Sequence, residues 1–368
     1  MKTPQLESVT IRGFRSIEAV DALPLGAVNV LVGPNGSGKS NFIGAFSFLH
    51  AVRDGKLQEY VARAGGADSV LYFGSSSTTE LRIKLSFAGG TNAYDLLLVP
   101  TDTGELVPRR EIVSFWDKAH YPQPYGQLLS PLGKEAGISG TEQDGIASYV
   151  RRHLAKWRVY HFHDTGSRSA LKRTSDVADN RFLRSDGSNL PSFLYLLSER
   201  YPDSFRVIVA AIRLVAPFLD RFHLEPEALN AERMRLEWVH RDSDAFFDVS
   251  SLSDGTLRFI ALTTLLLQPV ELRPSVILID EPELGLHPYA IAMLAGLIRQ
   301  SSAETQVIVS TQSPILLDHF EPEEVIVADF DGKGTSFRRL LAGELESWLS
   351  EYSLGELWQK DQFGGRPH

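Results

Sequence analysis

No cysteine occurs among the 368 residues, which excludes disulfides, thiolate zinc sites and cysteine nucleophiles together. That absence suits a reducing cytosol. Nor is there a surplus of positive charge. The formal net charge is −9, so no global field draws the chain to nucleic acid, and any polyanion contact has to come from a local patch. Long apolar runs are missing too. The longest, around Ile260–Leu267 and Ile291–Ile298, are too short to span a bilayer. The opening Met1-Lys2-Thr3-Pro4-Gln5-Leu6-Glu7 lacks the apolar core of a signal peptide. The expectation is a cytoplasmic protein without membrane contact. No heptad pattern extends far enough for a coiled-coil arm, and no internal repeat or low-complexity segment is found.

What is present is an ordinary globular composition, 43% hydrophobic, arranged in recognisable blocks. Val9-Thr10-Ile11 and Ala27–Val32 are rich in β-branched residues and read as strands. Asn41–Val52 places Phe42, Ile43, Phe46 and Leu49 at helical spacing. Leu81–Phe87 alternates strictly, Gly89-Gly90 looks like a turn, and Tyr94–Val99 follows, which predicts an antiparallel region with one solvated face. Residues 117–145, rich in Pro and Gly, read as loop. From Arg151 to about Phe222 the chain reads as mainly helical, with Ser188–Leu197 and Ser204–Ala216 the clearest segments. The last third alternates. Helices are expected at Leu257–Leu267 and Tyr289–Gln300, and strands at Ser275–Ile279, Gln306–Ser310 and Glu324–Ala328. That order indicates an α/β protein with a largely parallel sheet covered on both faces. The organisation expected is an N-terminal lobe over 1–150, a helical insertion over 151–225, a second lobe over 226–340 and a tail over 341–368.

Three segments carry chemistry. Gly33-Pro34-Asn35-Gly36-Ser37-Gly38-Lys39-Ser40 matches the phosphate-loop pattern and lies between a strand and a helix, the setting that pattern requires. Its glycines let backbone N–H groups converge on phosphate oxygens at a helix N-terminus. Lys39 should reach the β- and γ-phosphates of ATP, and the Ser40 hydroxyl should help hold Mg²⁺; Asn35 to Asn41 are the expected nucleotide-binding residues. Val276–Ile279 is an apolar strand ending in Asp280-Glu281. There Asp280 can serve Mg²⁺ while Glu281 faces the attacking water, the arrangement phosphoryl transfer to water needs. Leu252-Ser253-Asp254-Gly255-Thr256 precedes a helix, and a helix N-terminus accepts anionic charge.

With these segments in order, the chain resembles the RecF/OLD-like branch of the ABC-type ATPases, relatives of the SMC heads. The residues carrying the resemblance are Val9–Ile17, the phosphate loop, Leu252–Arg258, Ile279–Pro288 and Ser310–Pro314. The total length and the tail Tyr352–Trp358 look like a group of bacterial predicted ATPases. The resemblance implies a P-loop ABC-type head, its mixed sheet flanked by helices, with an antiparallel β-region and a helical insertion. It implies two such heads closing face to face as a homodimer around two ATP molecules. Each site would join Lys39, Ser40, Asp280 and Glu281 of one copy to Ser253 and Gly255 of the other, with Glu283–His287 crossing the interface. Arg12, Arg15 and Ser16 lie where relatives approach the nucleotide, and Arg15 is taken as a nucleotide-binding residue. Where many relatives carry a switch histidine, this chain has Gln312. Glutamine hydrogen-bonds but takes no proton near neutral pH, so Glu281 is assigned the base role and Gln312 positions. Two outputs are implied: a DNA transaction such as repair or recombination, or control of a separate nuclease or toxin effector in phage defence.

Two further features stand apart. Arg151, Arg152, Lys156, Arg158, Arg168, Lys172, Arg173, Arg181 and Arg184 outnumber Asp164, Asp176 and Asp179, a local excess that could touch a polyanion or form a solvated face. His161 and His163 fall on one face if their segment is extended. With no third ligand identifiable, packing or hydrogen bonding is the expectation there rather than metal.

Overall fold

The computed structural model describes residues 6–87, 89–140, 145–164, 166 and 169–365. The first five residues of the opening segment, and Arg168 of the basic run, lie outside the described residues. The chain divides into two compact units, Met1–Trp157 with Glu321–His368, and Arg158–Phe320.

In the first unit, alternating apolar side chains build a six-stranded antiparallel sheet. Its order is Ile17–Pro24, Leu6–Phe14, Leu81–Phe87, Asn92–Pro100, Leu106–Phe115 and Tyr125–Leu128. Leu81, Ile83, Leu85, Tyr94, Leu96 and Leu98 are buried while their neighbours face outward, so one face is core and the other solvated. Within residues 117–145, read from sequence as loop, the structure adds the edge strand Tyr125–Leu128 and a short 3₁₀ turn, Gly137–Gly140. All four strand residues are exposed, so no alternation marks them.

Val28–Val32 is buried at all five positions, as a strand covered on both faces must be. It pairs in parallel with Val325–Phe330, which in turn pairs antiparallel with Thr335–Arg339. The helix Lys39–Arg53 follows and buries Phe42, Ile43, Phe46, Phe48 and Leu49. Phe46 packs 5.4 Å from Trp157, Phe48 5.6 Å from Phe14 and Phe42 5.1 Å from Phe337. Each such side chain contributes about 1.5–3 kcal/mol by leaving water. The tail also folds onto this unit. A capping box between Ser353 and Glu356 starts the helix Leu354–Gln359, and Trp358 Nε1 donates to Gly365 O at 2.6 Å. Gly365 lies close to the Val325–Phe330 strand: a Cβ there would come 2.8 Å from Val327 Cγ1.

The helix Ile146–Ala155 carries His153 against Tyr149, ring centroids 4.2 Å apart. Burial pushes the His153 imidazole down from 6.5 to about 4, and Lys156 and Arg152 push the same way. The native state therefore disfavours the charged form, and the unfolded chain takes up the proton first as pH falls. Stability is full above about 6.5 and falls as the pH drops towards 4. A Tm series over that window should show the fall, and His153→Leu should flatten it.

In the second unit, helix Asp254–Leu267 is buried at every position from Leu257 to Leu267. It packs against the helices Pro202–Val215 and Pro288–Ser302. Strands Val276–Asp280 and Gln306–Thr311 pair in parallel, Asp280 opposite Ser310. A small antiparallel sheet runs Leu219–His223, Glu237–His240, Phe246–Asp248. The stretch read as mainly helical opens on the end of helix Ile146–Ala155 and holds two further clear helices, Leu190–Arg200 and Pro202–Val215, but the described chain between the first and second of these is not α-helical. Trp157–Tyr160 is a strand, and the chain from there to Asn189 is largely irregular. Four residues are too few to display a period. Among the described residues no helix is long and apolar enough to cross a membrane.

Candidate active site

The phosphate loop leaves the buried strand Val28–Val32 and enters helix Lys39–Arg53 through Gly38, which caps the helix at φ +94° with no side-chain hydrogen bond. The loop is held by steric necessity. A Cβ at Gly33 would sit 2.3 Å from Ala328 O, and one at Gly38 2.3 Å from Thr335 Oγ1. At Gly36, φ +80°, nothing lies within 4 Å, and Asn35 and Gly36 are exposed at the loop's tip. Among the described residues Ser37 Oγ is buried without a hydrogen-bond partner, an open polar atom of the kind a ligand satisfies. Lys39 is 4% exposed and its Nζ donates to Gly33 O at 2.7 Å and Pro34 O at 2.8 Å, so the ammonium lies folded over the loop. Ser40, the next residue, is exposed.

Behind the loop, Asn41 Nδ2 donates to Ser16 Oγ at 2.7 Å, and Ser16 Oγ meets Thr335 Oγ1 at 2.7 Å. Arg15, at φ +51°, donates to Tyr60 Oη at 3.0 Å and to Asn41 Oδ1 at 3.5 Å. Arg15 and Ser16 are thus tied to the loop's helix. Arg12 is not; it forms an exposed bidentate pair with Asp21 at 2.8 and 2.6 Å.

In the second unit, Val276–Asp280 delivers the two acids. Asp280 is held below its ordinary value against the opposing effect of burial, by the His163 imidazole 3.9 Å away and by the hydrogen bond from the Ser310 hydroxyl. Glu281 has φ +41°, a conformation that costs about 1–3 kcal/mol and persists only where neighbours enforce it. Its N–H donates to Ser310 O at 2.9 Å, and Gln312 Nε2 donates to its Oε1. The structure therefore brings Glu281 and Gln312 into direct contact. Glu283 turns inward, 7% exposed, and accepts from Thr311 Oγ1 and from Gln312 N at 3.2 Å. Burial raises its pKa, and its Oε2 has no hydrogen-bond partner among the described residues. This carboxyl ties the segment after the acids to the Gln312 turn, leaving Leu284, Gly285 and His287 exposed.

Ser253 caps helix Asp254–Leu267, accepting from Thr256 N at 3.1 Å. Gly255 has a packing reason besides any ligand: a Cβ would lie 2.3 Å from Gly285 O. Gly255→Ala must displace the Leu284–His287 segment or the helix start. It is expected to cost about 1–3 kcal/mol as overpacking, visible as a lowered denaturant midpoint in equilibrium unfolding.

Two features escaped sequence reasoning. Arg258, 6% exposed, donates to Phe162 O at 2.9 Å and His163 O at 3.0 Å; an arginine inside an apolar helix was the available signal. His161 and His163 meet Asp280, the donor atoms of the three lying within 4.8 Å of one another. Of the described basic run, Lys172 pairs with Asp254 at 3.0 Å and Arg184 with Asp179, which removes part of its excess.

The family model described as "AAA domain, putative AbiEii toxin, Type IV TA system" matches residues 28–318, and the chain belongs to that family. Over 184 residues it is 35% identical to urease accessory protein 2 of Cryptococcus neoformans var. grubii, a match covering 47% of this chain and 13% of that protein. Over 95 residues it is 35% identical to the chromosome partition protein Smc of Mycobacterium tuberculosis, covering 25% of this chain and 8% of that one. The chain thus spans only a small part of the length of these curated relatives. Its fold is that of solved SMC heads. An SmcHead bound to the C-winged helix domain of ScpA gives a TM-score of 0.61 at 15% identity, covering 93% of this chain and 99% of that one. An Smc head domain with an extended coiled coil, bound to the C-terminal domain of ScpA derived from Pyrococcus furiosus, gives 0.57 at 14% identity, covering 95% and 99%. The chain is thus a member of this AAA-domain family with the mixed α/β fold of SMC heads and a separate antiparallel sheet.

Proposed function

We propose that the chain binds ATP with Mg²⁺ and hydrolyses it slowly, as a switch that closes two copies head to head. The observation that carries this is the phosphate loop, shaped so that Gly33 and Gly38 admit no side chain while Ser37 Oγ is left unpaired. On binding, Lys39 Nζ exchanges the carbonyls of Gly33 and Pro34 for β- and γ-phosphate oxygens, and the N–H groups of the loop and helix start receive the rest. The Ser40 hydroxyl and the Asp280 carboxylate are hard oxygen donors of the type Mg²⁺ takes. Mg²⁺ supplies neutralisation of phosphate charge. Glu281 accepts the proton of the attacking water, and Gln312 orients that carboxylate. Ser253 and Gly255 of one copy face the nucleotide of the other, so loss of the γ-phosphate removes contacts that favour the closed pair.

The first reading of the output is a DNA transaction, with ATP turnover stimulated by an end, gap or junction. A second reading, control of a separate effector protein, draws support from the family description, which names a putative toxin of a toxin–antitoxin system. Steady-state phosphate release, alone and with single-stranded, blunt and gapped DNA, separates them, with Lys39→Ala as the inactive control. Stimulation by one DNA form, absent from Lys39→Ala, supports the first. Turnover indifferent to every DNA supports the second. No release above the Lys39→Ala background overturns the ATPase reading.

A further inference from the structure

We propose that His161, His163 and Asp280 form a binding site for one divalent ion of the first transition row. His163 Nε2 lies 3.9 Å from Asp280 Oδ2, and one donor atom from each of the three residues falls within 4.8 Å of the others. Donors around an ion at about 2.1 Å stand roughly 3–4 Å apart. The cluster is therefore within about 1–2 Å of closure, a distance that small rotations of the imidazole and carboxylate planes cover.

The backbone holding these donors is fixed on every side. The histidines follow the strand Trp157–Tyr160, and Phe162 between them is buried at 3% exposure. Burial of Phe162 turns both neighbours to the opposite face, where the alternation of an extended chain puts them. His161 N–H donates to Ser185 O at 2.9 Å. The buried Arg258 holds Phe162 O and His163 O together. Asp280 is oriented by the Ser310 hydroxyl. The backbone that carries the histidines, and the Asp280 carboxylate, are thus held in place before any ion arrives, so that only ring rotation is left to complete the site.

Donor chemistry selects the ion. Two imidazoles and one carboxylate suit Mn²⁺, Co²⁺, Ni²⁺ or Zn²⁺, whereas Mg²⁺ favours oxygen alone. Three protein donors leave coordination positions open, as in sites that also hold water or a ligand oxygen. Because Asp280 is shared, an ion here would bring an imidazole-bound metal to the carboxylate assigned above to Mg²⁺. The metal site itself does not rest on the ATPase reading, since all three ligands belong to the second unit.

The test uses the full chain, stripped with a chelator and free of nucleotide, titrated with Co²⁺ and followed by visible absorption and calorimetry. One Co²⁺ per chain is expected, with ligand-field bands that persist in millimolar Mg²⁺. His161→Ala, His163→Ala and Asp280→Asn should each weaken binding at least about tenfold, with far-UV circular dichroism confirming the fold. Lys39→Ala should bind Co²⁺ like the parent, so loss of nucleotide binding and loss of the metal site remain distinguishable. Absence of a saturable Co²⁺ spectrum, or isotherms unchanged in both histidine variants, would overturn the proposal and leave His163 as an electrostatic neighbour of Asp280.

Discussion

Glu281→Gln is expected to lower steady-state phosphate release about 10²–10⁴-fold while ATP binding persists. Glu281 is held at φ +41° by its N–H bond to Ser310 O, and an isosteric amide leaves that bond in place. What changes is the capacity to accept a proton, which a carboxylate has and an amide lacks. Gln312 donates to Glu281 Oε1, so its own role is to fix the carboxylate's direction. Removing it in Gln312→Ala deletes one hydrogen bond to a carboxylate, worth about 1.5–3 kcal/mol, and should slow turnover by no more than about a hundredfold. Parallel measurement of phosphate release and equilibrium nucleotide binding in the two variants checks the ranking. A larger defect in Gln312→Ala than in Glu281→Gln would reverse the roles.

The readable parts of this site are those whose chemistry is local in sequence. Strand, glycine loop and helix occupy 28 to 53 without interruption, and Asp280-Glu281 ends an apolar strand, so spacing alone announced both. Glu283 was legible only as part of an exposed interface segment, because a carboxylate is ordinarily solvated. Its burial depends on Thr311 and the Gln312 amide, which reach it only through the pairing of Val276–Asp280 with Gln306–Thr311. The histidine pair was visible at spacing two, but its third donor, Asp280, is more than a hundred residues away in the chain. Gly255 shows the reverse difficulty. A glycine before a helix reads as a phosphate contact, and the same glycine is demanded by Gly285 O; one residue serving both needs leaves a single trace in the sequence. Tyr125–Leu128 and Trp157–Tyr160 were missed because short strands at an edge or beside a helix carry too few residues for a period to show.

The second large effect is expected from Gly38→Ala. At φ +94° an L-residue is strained, a cost of roughly 1–2 kcal/mol. The added methyl would also lie 2.3 Å from Thr335 Oγ1 and 2.9 Å from Ser16 Oγ. Neither neighbour can yield cheaply. Thr335 is 3% exposed, its N–H donates to Ser16 O at 2.7 Å, and the two hydroxyls are bonded to each other. Asn41 is tied to the same serine, so the strain passes directly into the first turn of the phosphate-loop helix. Overpacking of this kind adds about 1–3 kcal/mol. Either the loop opens, and the amides that should converge on phosphate diverge, or the strand Thr335–Arg339 shifts. In both cases ATP affinity should fall by about two orders of magnitude or more, since each 1.4 kcal/mol is tenfold. Gly36→Ala supplies the contrast: φ +80° is equally left-handed, but nothing lies within 4 Å of its Cβ, so only the backbone cost remains. Equilibrium binding of a fluorescent ATP analogue to both variants measures the difference. Equal affinity for Gly38→Ala and the parent would show that the tight glycine cradle is not what holds the triphosphate.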